Sequence, residues 1–165
     1  MKKIINSKFS IIKTQYYPHK IKNILSEFKN KAVLGIGGNI GDVPRRFNRL
    51  YYFLRKSEKI QIIESSPILK NPPFGYIPQK DFYNSILIIS TKLTPRELLY
   101  YLLRVEKKFG RKRYIPNGPR TLDIDIIFYN DISISSKELT IPHQHWAERE
   151  SVLIPLSLIK NKKSR

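Results

Sequence analysis

The chain has 165 residues and carries 31 Lys and Arg against 13 Asp and Glu, a formal charge of +18. That length suits one domain with its own apolar core and is short for two. With no cysteine, disulfides and thiolate metal sites are excluded; with no run of about 18 apolar residues, so is a membrane-spanning helix.

A cytoplasmic location and no membrane partner are the matching expectations. The opening MKKIINSKFSIIKTQ is basic, but Asn6, Ser7, Lys8 and Lys13 interrupt its apolar residues, so no signal peptide is expected. The positive excess invites a nucleic-acid reading. It is spread, however: residues 1–31 hold eight Lys against Glu27, net +7, which leaves +11 for the rest. Lys, Ile, Asn and Tyr are abundant throughout, as an adenine- and thymine-rich coding sequence produces, and that explanation is favoured over a polynucleotide groove.

Residues 1–31 show no clean period and read as a basic extension, with a short helix predicted from Ile21 to Lys29. The domain is predicted over 32–160, with 161–165 a basic tail. Ala32 to Gly37 reads as a buried strand that breaks at Gly38-Asn39-Ile40-Gly41-Asp42. Asp42 is a helix N-cap with Pro44 in the first turn, and Phe47, Leu50, Tyr51 and Leu54 share one helical face. A strand from Ile60 to Ser66 leads to the breaker-rich loop Asn71 to Pro78. Phe82 to Thr91 is strand-like. Thr94 caps a helix opened by Pro95, with Leu98, Leu99, Leu102 and Val105 as its apolar face and a stop near Gly110. A second breaker loop, Arg111 to Pro119, runs into a strand from Thr121 to Tyr129. Ile132–Ile134 and Glu138–Ile141 form a small hairpin, and Trp146 to Ile159 is mostly helical. This order predicts an α+β fold, a ferredoxin-like three-layer α/β/α sandwich about a mainly antiparallel sheet.

The stretch NGPRTLDIDIIFYND carries the chemistry. Alternation on a strand puts Asp123 and Asp125 on one face, and Leu122, Ile124 and Ile126 on the other. A bare D-x-D is most often a solvated pair. Here Arg111, Lys112, Arg113 and Arg120 precede it closely, and cations beside two carboxylates suit a polyphosphate bridged by a hard dication such as magnesium. No P-loop accompanies it, since GGNIGD lacks the terminal Gly-Lys-Ser/Thr. His143 follows Ile-Pro at a loop mouth, where it could donate to phosphate; His145 and His19 read as surface residues. The loop from Asn71 to Phe82, with Asn84 beyond it, offers aromatic planes and amides for a flat heterocycle, or is an ordinary proline-rich connection.

The string GPRTLDIDII resembles the signature of the 6-hydroxymethyl-7,8-dihydropterin pyrophosphokinase family. GGNIGD, NPPFG, DFYN, FGRKR and IPHQHWAERESVLIPL fall in the family's order around it. The resemblance runs from about Ala32 to Leu156. It implies transfer of pyrophosphate from ATP to the pterin alcohol, giving AMP, in a monomer that acts on small molecules and needs no nucleic acid. It makes Asp123 and Asp125 ligands of two magnesium ions and, with Arg111 and Arg120, the catalytic group. Arg111, Arg113, Arg120, His143 and Arg149 become phosphate contacts, with Glu106, Ile126 and Thr140 near the nucleotide. Asn71, Pro72, Phe74, Phe82 and Asn84 line the pterin pocket. The chain departs from the family pattern at Gly38, usually Ser; at Asn117, often aromatic; and at Ser151, usually Phe.

Overall fold

The structure is a computed structural model that describes residues 1–112 and 115–160. In chain order its elements are β1 (Lys2–Ile4), β2 (Ser10–Ile12), β3 (His19–Lys20), β4 (Asn30–Gly38), α1 (Val43–Arg55), β5 (Ile60–Ser65), β6 (Ile68–Asn71), β7 (Phe82–Thr91), α2 (Pro95–Lys108), β8 (Asp123–Tyr129), β9 (Ile134–Ser135), β10 (Thr140–Ile141) and α3 (Glu150–Lys160). The first eight strands form one sheet, and every pairing in it is antiparallel.

β4 and β7, the two longest strands, pair along their whole length at the sheet centre. β8 lies beyond β4. On its other flank β7 meets β6 along its first residues and β5 along its last. β6 is not anticipated from the sequence, because its path continues β5 across a break at Ser66-Pro67. Proline has no N–H for the ladder. Ser66 fills in by donating its N–H to Ile86 O and accepting Ile86 N–H on Oγ, both at 2.9 Å.

Residues 1–31, read from sequence as an extension, contribute three strands to this sheet. β2 pairs with β6, β1 with β2, and β3 with β5. Between them Tyr17 is fully buried against Phe47 and Tyr51 of α1, and its hydroxyl donates to Phe47 O at 2.9 Å. The helix expected at Ile21–Lys29 does not form. Nine uncapped residues make a marginal helix, and their backbone groups find partners on β5 instead. Ile21 N–H donates to Ile63 O, Leu25 N–H to Gln61 Oε1, and Gln61 Nε2 to Asn23 O.

The helices follow their sequence signals. Asp42 accepts Arg45 N–H at the start of α1, which buries Val43, Phe47, Leu50, Tyr51 and Leu54. Thr94 and Glu97 form a reciprocal capping box on α2, which buries Leu98, Leu102, Val105 and Glu106. Both pack on one sheet face with Leu34, Ile36, Leu87, Ile89, Ile124 and Ile126. Each such buried side chain contributes about 1.5–3 kcal/mol. α3 covers part of the other face, where Val152, Leu156 and Ile159 meet Ile86 and Ile127. The result is the expected α/β/α sandwich.

The expected hairpin is present in shorter form as β9 with β10. A 3-10 turn, Trp146–Glu148, precedes α3. The tail 161–165 lies outside the described residues. No helix among the described residues is long and apolar enough to cross a membrane.

Because Tyr17 ties the N-terminal segment to α1, Tyr17→Ala is expected to lower stability by about 3–5 kcal/mol through loss of a filled cavity. Tyr17→Phe, which removes the hydroxyl alone, should cost about 1 kcal/mol. Urea unfolding of both variants checks the pair; equal stability of all three proteins would show that the segment does not dock.

Candidate active site

Opposite ends of one cleft are set by strand parity. Asp123 pairs with Gly37 on β4, and Gly37 pairs with Asn84 on β7; Asp125 pairs with Gly35, and Gly35 with Ile86. In-register neighbours share a face, so all of these point to the α3 side. Gly35 and Gly37 leave the middle of the row without side chains. A Cβ on Gly37 would stand 2.6 Å from Asn84 Oδ1, and one on Gly35 would stand 3.3 Å from Ile127 Cδ1. The hollow is a cleft of about 360 Å³.

One end is charged. Glu106, 3% exposed on α2, accepts Ile124 N–H on Oε1 at 2.7 Å and Arg111 Nη1 on Oε2. Arg111 Nη1 also lies 2.9 Å from Asp123 Oδ1, while Arg120 Nη1 donates to Asp123 Oδ2 at 2.9 Å. Burial pushes the Glu106 carboxyl up, opposed by the Ile124 N–H and Arg111. The Asp125 side chain is 41% exposed through the cleft mouth but set deep among protein atoms. Burial first, then Asp123 and Glu106, push its pKa up to about 7. Burial, with Arg149 and His145, pushes His143 down. It is therefore neutral at pH 7, and its Nε2 sits 4.0 Å from Asp125 Oδ2, beyond hydrogen-bond range.

Two features suit this end to an anion that arrives with a cation. Arg111 Nε and Arg149 Nε are buried with no hydrogen-bond partner among the described residues; such donors are costly unless a ligand accepts from them. Asp123 and Asp125, meanwhile, are a donor set that fits a hard dication, because a cation between them offsets both the burial of Asp125 and its repulsion by Asp123. No group of three or more His, Cys, Asp or Glu that could hold a metal occurs among the described residues. Two carboxylates, with the other positions left to water and phosphate oxygens, is the habit of magnesium.

The other end is flat and amide-rich. Asn84 Nδ2 donates to Asn71 Oδ1 at 2.6 Å, and Asn71 Nδ2 to Pro72 O at 3.0 Å. The Arg120 guanidinium lies 5.5 Å from the Phe82 ring centre, and Arg149 lies 5.6 Å from that of Phe74.

A family model described as 7,8-dihydro-6-hydroxymethylpterin-pyrophosphokinase matches residues 33–161. The chain belongs to this family. A 2-amino-4-hydroxy-6-hydroxymethyldihydropteridine pyrophosphokinase of Helicobacter pylori is 40% identical over 150 residues, covering 90% of this chain and 91% of its own. One of Campylobacter jejuni is 40% identical over 147 residues, 89% of this chain and 93% of its own. A Synechocystis protein of the same name is 41% identical over 128 residues, 78% and 65% of the two chains. Pyrophosphokinase activity in folate biosynthesis, as expected from GPRTLDIDII, goes with this membership.

Of the residues singled out in the sequence, Asn71, Pro72, Phe74, Phe82, Asn84, Arg120, Asp123, Asp125, His143 and Arg149 line the single cleft just described. Glu106 and Arg111 stand behind Asp123. Ile126 does not reach the cleft: its parity is opposite to that of Asp125, so it enters the α1 and α2 core. Thr140 is exposed on β10, away from the lining. Arg113 lies outside the described residues. Sequence reasoning missed Lys8 and Phe9, which line the cleft from the N-terminal segment, Glu148 of the 3-10 turn and Glu150 at the start of α3. It also passed over Asn39, which is 4% exposed and joins three loops.

Asp125 makes the fold pH-sensitive when no metal is present. Its carboxyl ionises near 3.8 in the unfolded chain and near 7 in the fold, so its contribution to stability is full below about 4 and lost as pH rises through 7. Asp125→Asn lacks this loss. In EDTA the variant should gain on the parent between pH 4.5 and pH 8, by about 1 kcal/mol once the shift is discounted for solvent screening of a partly exposed group. Urea unfolding at the two pH values reads the difference; a gap that closes with rising pH would contradict the raised pKa.

Proposed function

We propose that the protein transfers pyrophosphate from ATP to 6-hydroxymethyl-7,8-dihydropterin, giving the pterin diphosphate and AMP, with the two ends of the cleft as its two substrate sites. The observation that carries this reading is the row Asn84–Gly37–Asp123. Adjacent strands lie about 4.8 Å apart, so the amide end and the carboxylate end stand about 10 Å from one another with no side chain between. A ring held at Asn71, Phe82 and Asn84 extends its hydroxymethyl arm along that gap toward the phosphates.

The Asn84 and Asn71 amides suit the hydrogen-bonding edge of the pterin, and Phe82 suits its face. Arg120, Arg149 and Arg111 suit the phosphate oxygens, and neutral His143 can donate to them. Asp123 and Asp125 would hold magnesium, and the family resemblance supports two ions. Magnesium supplies charge neutralisation on the triphosphate. In the transfer the pterin hydroxymethyl oxygen bonds to the β-phosphorus, the bond from that phosphorus to the α,β-bridging oxygen breaks, and AMP departs with that oxygen as the hydroxyl proton is lost. The chain's part is to align the two substrates and to meet the developing charge with fixed guanidinium groups. The monomeric state is what the family resemblance implies.

The product of the reaction tests this reading. With ATP, magnesium and the pterin alcohol, AMP should accumulate in step with pterin diphosphate; pterin-dependent ADP would instead make the protein an ordinary kinase. Asp123→Asn and Asp125→Asn should each lower single-turnover rates at saturating ATP and magnesium by about 10²-fold or more, with cooperative melting retained. A variant that reacts at the parent rate would remove that aspartate from the site.

A further inference from the structure

The ring end of the cleft has one aromatic wall, Phe82, and needs another if a flat heterocycle is to be held on both faces. Four neighbouring side chains do not provide it. Ser151 and Val152 line the α3 side but carry no ring. Phe74 is 71% exposed and sits under the Arg149 guanidinium. Trp146 packs edge-on against Phe128, with ring centres 4.8 Å apart.

Phe9 is placed differently. β2 pairs with β6 as Ser10↔Lys70 and Ile11↔Leu69, so Phe9, one step further, falls opposite Asn71. Asn71 in turn pairs with Phe82. Phe9 and Phe82 thus flank Asn71 on the same sheet face, on strands about 10 Å apart. A flat ring needs about 3.5–4 Å on each side, a gap that two side chains leaning over Asn71 can frame. Phe9 lines the cleft and keeps part of its surface free for a ligand. Its backbone is anchored: Phe9 O accepts from Ile5 N and Asn6 N, and Phe9 N–H donates to Asn6 Oδ1 at 2.9 Å.

We propose that Phe9, presented by the β1–β2 hairpin, is the second aromatic wall of the heterocycle site, so that the ring is sandwiched between Phe9 and Phe82. The inference rests on the assignment of Asn71, Phe82 and Asn84 to the pterin given above. It makes residues 1–12 part of the substrate site, although they precede the segment matched by the family model.

The test uses the full-length chain. Binding of 6-hydroxymethylpterin is measured by fluorescence in the presence of magnesium and α,β-methylene-ATP, together with kcat and both KM values. Phe9→Ala should raise the pterin Kd and KM about tenfold, the loss of one aromatic stack, with the ATP KM within twofold of the parent. Phe9→Tyr should bind as the parent does. Phe9→Leu keeps apolar bulk for the fold but has no π-face, and should weaken pterin binding severalfold with an unchanged melting midpoint. A parent-like pterin Kd in Phe9→Leu, or equal rises in both KM values in the variants, overturns the proposal while AMP production by the parent leaves the assignment of function standing. If the parent itself forms no AMP, that assignment fails and the sandwich with it.

Discussion

A carboxylate kept from water holds the site together. Glu106 leaves solvent at the end of α2, and an isolated buried charge is too costly to persist. Its two oxygens are met by the Ile124 N–H and by Arg111. The first bond locks α2 against β8 at the residue between the two aspartates. The second turns the Arg111 guanidinium back toward Asp123. Removing either partner leaves a buried charge without compensation, so the register of β8 and the aim of Arg111 are two outcomes of one requirement. Once β8 is held in that register, Asp123 and Asp125 must face Gly37 and Gly35.

The cleft exists because the two sheet faces are covered unequally. α1 and α2 together bury one face as a continuous apolar core. On the other, the one α-helix among the described residues is α3, whose 11 residues span about 16 Å, against ten-residue strand β7 at about 33 Å. What α3 does not cover is the end of the sheet where β7 carries Phe82 and Asn84 and β8 carries the aspartates. An uncovered sheet face of isoleucines would be an aggregation hazard. Here it is amides, glycines and paired charges, so the same stretch stays wet and open to a ligand.

Much of this was legible because it depends on local rules. Apolar runs ended by breakers located β4 and β7, strand parity set the faces of β8, and capping residues with an apolar helical face located α1 and α2. The D-x-D reading needed only parity. The N-terminal strands were not legible: two or three residues show no alternation, and the burial of Tyr17 is decided by Phe47 and Tyr51, some 30 residues away in sequence. Ile126 shows the limit of reading roles from neighbours in a motif, because one step along a strand reverses the face. Gly38 is a departure that the fold explains, since a Cβ there would lie 2.6 Å from Thr121 O.

The two ends of the cleft are also joined mechanically, through Asn39. Its backbone N–H donates to Arg120 O and its Oδ1 accepts Arg120 N–H, so the Arg120 peptide groups are held at both ends. Its Nδ2 donates to Gln79 Oε1 and Lys80 O, in the loop that leads to Phe82. Gln79 Nε2 continues the chain of bonds to Asn117 O, where a left-handed backbone, φ 57°, suits an asparagine. The Arg120 side chain meanwhile reaches both Asp123 and the face of Phe82. The 72–81 loop and Arg120 are thus tied to each other through one residue. With its backbone N–H and both side-chain polar atoms engaged, this buried asparagine favours one arrangement, which makes the turn a joint between the amide-rich end and the charged end of the cleft.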